Sequence, residues 1–170
     1  MLYRILMTQK LLFDVLCYLS PALVLAVAIR YFSGKVLTAW FLQLPGTVAH
    51  ELLHTLVGFF SFAGPVSVSI IPHRYRKGMW ALGGATFRNI CWYNAALVSL
   101  APMLCLPLCG WLVMWRMSTG TALSFMDLAY WYAAANLLIA AKPSSQDFLL
   151  ATRSWPLIPL ALAGWWFWAV

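Results

Sequence analysis

The chain has 170 residues, of which 64% are hydrophobic and only 9% charged. A soluble domain carries about 25% charged residues, so a globule coated by polar side chains is excluded and a chain embedded in a bilayer over most of its length is expected. The net charge of +7 is spread over loops between apolar spans with no basic stripe, which argues against nucleic acid as a partner and for a role in setting membrane topology.

No linker, repeat or charge block divides residues 1–170, so a single integral membrane unit is expected. Five apolar spans are read: Leu11 to Ala28, Val36 to Phe62, Trp92 to Trp115, Ala122 to Ala141 and Phe148 to Val170. Each approaches or exceeds the ~20 residues a helix needs to cross ~30 Å of hydrocarbon. The first span is preceded by Arg4 and Lys10 and contains Ala26 to Ala28, features shared with a secretory leader. The run is long for a leader, and a membrane anchor fits the remaining spans.

The second span contains "HELLH", His50 to His54. Residues four apart share one helix face, so the two imidazoles can point at one spot with Glu51 beside them. This is the H-E-x-x-H pattern: two ligands for a Zn2+ ion and a carboxylate to handle the proton of a water. Glu51 is the chain's only Glu, and two of its three His sit with it. Ionisable side chains are costly in hydrocarbon and mark functional sites. A shared cation would offset their desolvation, whereas the plainer reading is a hydrogen-bonded polar cluster joining helices.

After that span, Val66, Val68 and Ile70 alternate with Ser67 and Ser69, a strand pattern. His73 to Gly78 reads as a charged turn, and Met79 to Phe87 as the returning strand, weakened or bulged at Gly83 and Gly84. The expected fold is thus all-α transmembrane, with about five membrane helices and a short membrane-associated β-hairpin after the H-E-x-x-H helix. The four cysteines lie in or beside apolar spans without a CxxC pair and read as small buried hydrophobes.

With the N-terminus in the cytoplasm, Arg4, Lys10, Arg74, Arg76, Lys77, Arg88, Lys142 and Arg153 fall on the inner side, and Arg30, Lys35 and Arg116 on the outer side. The excess of inner positive charge favours that orientation. A catalytic zinc takes a third protein ligand, and Asp14, His73, Asp127 and Asp147 are the candidates. Asp127 lies toward the outer end of span four, whereas Asp14, His73 and Asp147 lie on the inner side. Asp147 is preferred, because Pro143 breaks the helix and Ser144 to Gln146 supply a polar turn. The same aspartate could instead cap the last span through Ser144 or Ser145. A bend reaching His54 must dip into the membrane, or span two must end early, near Gly58.

"HELLH" in a membrane helix, followed by a Pro- and Asp-containing stretch at a later helix start, resembles the site-2 proteases, the intramembrane zinc metalloproteases. The resemblance implies an integral membrane metallopeptidase-like domain over residues 1–170, multi-pass and of compact bacterial inner-membrane type, with His50, His54 and Asp147 binding zinc and Glu51 as catalytic base. It is carried by Pro45 to Phe60 and Asn136 to Leu150, with "SLAP", Ser99 to Pro102, as a weaker match to the next core helix. The family's grouping of Asn, Pro, Asp and Gly is represented by Asn136, Pro143 and Asp147, without the Gly. The implied partners are a membrane-protein substrate and the lipid bilayer. The alternative is a membrane adaptor, or a metal-binding membrane protein without catalysis.

Overall fold

A computed structural model gives the fold and describes residues 2–76, 79–120 and 122–169. The chain is mostly helical. In order it forms α1 (Leu2–Phe32), α2 (Val36–Phe60), β1 (Pro65–Ser69), β2 (His73–Arg76), β3 (Met79–Ala81), β4 (Gly84–Phe87), α3 (Ala95–Leu100), α4 (Cys105–Ser118), α5 (Asp127–Ala140), α6 (Ser145–Ala151) and α7 (Leu157–Ala169). Short 3-10 turns join α3 to α4 and follow α6.

Helix α5 is the hub, packed against α1, α2 and α4. Its contact faces are small: Ala134 and Ala135 are buried with Ala22, Ala26, Ile29 and Cys109, so backbones approach closely. The large apolar side chains point the other way, with Phe13, Val24, Phe41 and Trp111 all exposed. Buried Cys105 and Cys109 match the expectation for the cysteines, but Cys17 is exposed.

Prolines interrupt α1 and α2, and α5 helps repair both interruptions. Pro21 has no N–H for the Cys17 carbonyl. The Ser20 hydroxyl donates to that carbonyl at 2.8 Å, and the Trp131 indole donates to the neighbouring Tyr18 carbonyl at 3.0 Å. Around Pro45 the Tyr132 hydroxyl donates to the Leu42 carbonyl at 3.0 Å, and the Gly46 N–H donates to the Asn136 side-chain oxygen at 3.3 Å. A Cβ on Gly46 would stand 2.7 Å from the Asn136 carbonyl oxygen, so glycine is what lets the two helices meet there.

Two stretches among the described residues are long and apolar enough to cross a membrane, Leu12–Phe32 and Ala95–Ser118. This corrects the expected five. Helix α2 has 25 residues, but Gln43, His50, Glu51 and His54 lower its hydropathy. Helices α5 and α7 have 14 and 13 residues, which is about 20 Å of helix against ~30 Å of hydrocarbon. The expected fifth span is broken between α6 and α7.

The segment after α2 also departs from the single hairpin expected. It forms four short strands in two antiparallel pairs, β1 with β4 and β2 with β3. Ser67 lies opposite Thr86 and Ser69 opposite Gly84; in the second pair Arg74 lies opposite Trp80. Leu82 and Gly83 separate β3 from β4, so one returning strand becomes two. Lys77 and Gly78, the tip of the expected turn, lie outside the described residues. Helix α2 closes with Phe62 in the left-handed region (φ 59°), and the Ala63 N–H donates to the Gly58 carbonyl at 2.8 Å, a Schellman-type cap that turns the chain toward β1.

Candidate metal centre

His50 and His54 lie one turn apart on α2, and their rings meet edge to face with centroids 4.7 Å apart. Each ring is held from behind by a carbonyl of a different helix. His50 Nδ1 lies 2.7 Å from the Ala140 oxygen at the end of α5, and His54 Nδ1 lies 2.7 Å from the Val98 oxygen of α3. A carbonyl can only accept, so each Nδ1 carries a proton and donates it. The Nε2 atoms of the neutral rings are then bare lone pairs, and they face one another at 3.2 Å. Two lone pairs at that distance repel unless a cation or a proton stands between them.

Asp147 completes the cluster. Pro143 and the Ser144 cap start α6 immediately after the end of α5. The Ser144 N–H donates to Asp147 Oδ2 at 2.6 Å, and the Asp147 N–H donates to Ser144 Oγ at 3.2 Å, a reciprocal capping box. The carboxylate held in this way lies 3.4 Å from His54 Nε2 through Oδ1, and 3.8 Å from His50 Nε2 through Oδ2. The two roles weighed for Asp147, cap and cluster member, coexist in one side chain. Helix α2 does not end early: α5 stops level with His50, so the bend itself reaches the histidines.

The three donors lie within 4.8 Å of one another and could hold a metal ion. A tetrahedral zinc with N and O ligands at 2.0–2.2 Å spaces its ligands about 3.3 Å apart. The separations of 3.2 and 3.4 Å fit that spacing, and the 3.8 Å from His50 Nε2 to Asp147 Oδ2 is longer than it. Histidines oriented by second hydrogen bonds to carbonyls are the usual support of such a site.

Comparison of the chain with protein-family models, with curated proteins and with solved structures finds no match. The reading of the site therefore rests on its geometry.

The cluster lines a cavity of about 470 Å³ between α2, α3, the α5–α6 bend and the segment from Trp80 to Phe87. Glu51 is 6% exposed and also lines it. Its side chain packs on the backbone of Gly83: a Cβ there would stand 2.9 Å from both Glu51 Cγ and Glu51 Oε1. In the sequence Gly83 reads only as a weakening or bulge of a strand. The glycine pair was the available signal, since glycine inside a strand pattern marks close approach of another group.

The remaining ligand candidates lie elsewhere. His73 is exposed, with its ring against Gly84. Asp14, half-buried on α1, is outside the cluster. Asp127 is buried in a separate network. It takes a bidentate pair from Arg116 at 2.8 and 2.9 Å and a hydrogen bond from Tyr18. The same guanidinium donates to the carbonyls of Gly120 and Ala122, so this network fastens the loop between α4 and α5 to α1.

Proposed function

We propose that the protein is an intramembrane zinc metalloprotease that hydrolyses peptide bonds of membrane-embedded substrates near the cytoplasmic side. One observation carries this reading. Two imidazole Nε2 atoms, oriented by carbonyls behind them, and a carboxylate fixed by its own helix cap converge within 4.8 Å beside a buried glutamate.

His50, His54 and Asp147 would hold the zinc. When bound, it would polarise a scissile carbonyl and lower the pKa of a water from 15.7 toward ~7. Glu51 is the general base: it takes the proton of the attacking water and returns it to the leaving nitrogen as the C–N bond breaks. Packing on Gly83 keeps its carboxylate at the cavity wall. The cavity walls bring together a strand segment and helices, which suits an unwound stretch of substrate better than an intact helix.

The membrane setting draws support from packing. Small residues fill the helix interfaces while large apolar ones face outward, as expected where the surroundings are as apolar as leucine. On this reading the protein is multi-pass, resides in a bacterial inner membrane, keeps its N-terminus in the cytoplasm by its charge asymmetry, and meets a membrane-protein substrate within the lipid bilayer.

The test is to purify Glu51→Gln and His54→Ala with the parent chain and to measure bound zinc and cleavage of single-pass transmembrane peptides. Glu51→Gln keeps zinc and loses turnover, and His54→Ala loses both. Zinc without any Glu51-dependent cleavage would instead favour the metal-binding, non-catalytic alternative.

A further inference from the structure

Ser99 differs from four other hydroxyls on the helices. Those of Ser20, Thr55, Ser118 and Thr152 donate to a carbonyl three or four residues back, the usual resting place of a helical hydroxyl. Ser99 lies in α3 and is fully buried at 0% exposure, yet its Oγ has no hydrogen-bond partner among the described residues. The other such hydroxyl, Ser61, lies at the end of α2 outside the cavity. Ser99 lines the cavity of the metal centre. Its chain neighbour Val98 supplies the carbonyl that orients His54. A buried donor left unmade is costly to the fold, and this one belongs to a residue of the cavity wall.

We infer that Ser99 is a catalytic residue whose hydroxyl donates to the carbonyl oxygen of the peptide bond being cut. The inference rests on the hydrolase reading above. As the water oxygen bonds to the carbonyl carbon, the carbonyl oxygen gains negative charge and the Ser99 O–H stabilises it. The water's proton goes to Glu51 and from there to the nitrogen when the C–N bond breaks, so Ser99 gives up no proton. Glu51 works from the Gly83 wall and Ser99 from the α3 wall, so the base and the oxyanion donor are carried by separate elements. A donor placed where charge develops favours the transition state over the ground state, and removing one such donor costs about 100-fold or more in kcat.

The experiment compares parent, Ser99→Ala and Glu51→Gln chains, full length in detergent, using quenched-fluorescence single-pass transmembrane peptides. Three quantities are read: zinc content, the Tm of the metal-free protein, and kcat and KM separately. The expected result for Ser99→Ala is full zinc, a Tm equal to or above the parent's, KM within about twofold and kcat lower by about 100-fold. A structural serine would behave in the opposite way, lowering Tm and zinc content, and that result overturns the inference. Parent-like kcat in Ser99→Ala, with Glu51→Gln inactive, overturns the role of Ser99 and leaves the hydrolase reading standing. Equal cleavage by parent and Glu51→Gln removes the hydrolase reading, and the Ser99 role with it.

Discussion

Replacing Gly83 by alanine should slow the reaction without disturbing the metal. The new Cβ would stand 2.9 Å from Glu51 Cγ, from Glu51 Oε1 and from Thr47 Cγ2, where ordinary contact begins near 3.4 Å. Glu51 must therefore retreat by about half an ångström. A misplacement of about 1 Å can cost 10²-fold in rate, so half of that corresponds to a loss of about tenfold in kcat, or about 1.4 kcal/mol of barrier. The next residue supplies the control. A Cβ on Gly84 would meet the exposed His73 ring at 3.4 Å, an ordinary contact, so Gly84→Ala should turn over like the parent. The assay measures kcat on transmembrane peptides alongside zinc content. Parent-like kcat in Gly83→Ala would show that Glu51 does not need its position against the strand. Equal losses in both glycine variants would show a general disruption of the β-segment.

Other outcomes follow from the same geometry. Ser144→Ala removes the hydroxyl half of the capping box, at a cost of about 1 kcal/mol measured by chemical unfolding, and weakens zinc binding by about tenfold through a looser carboxylate. Asp147→Asn retains an oxygen to accept from the Ser144 N–H but is a poor ligand, so zinc is lost with helix content unchanged by circular dichroism. Stripping zinc with a chelator lowers Tm, by the equivalent of about 2.7 kcal/mol where free zinc had stood at a hundred times Kd; an unchanged Tm would speak against a metal in the folded state. Asp127→Asn breaks the pair with Arg116 and lowers Tm while leaving zinc content alone, because that network does not touch the cluster.

Helix periodicity alone places His50 and His54 on one face, so the core of the site is readable from five letters. Asp147 could be preferred among four candidates but not placed, because the sequence does not say how far the bend after Pro143 reaches. That depth is set by α5 stopping at Ala140, whose carbonyl accepts the hydrogen bond from His50 Nδ1. The mostly helical character was legible in the composition, but the number of spans was not. The side chains that give α2 its chemistry also lower its hydropathy, and α5 is shorter than its apolar stretch because the chain from Ala122 onward is tied to Arg116 and Asp127. Gly83 was marked in the sequence only as a glycine within a strand pattern, and Ser99 only as part of "SLAP". Their roles come from what packs against them, or fails to, across long separations in sequence.

Trp131 and Tyr132 are adjacent in α5, yet one reaches the backbone of α1 and the other that of α2. This dipeptide is a two-sided latch. For α5 to slide by one turn, about 5.4 Å, both hooks would have to let go together. The elevation of the end of α5, and of the bend that carries the carboxylate to its two imidazoles, is thus pinned by residues two to three turns back along α5.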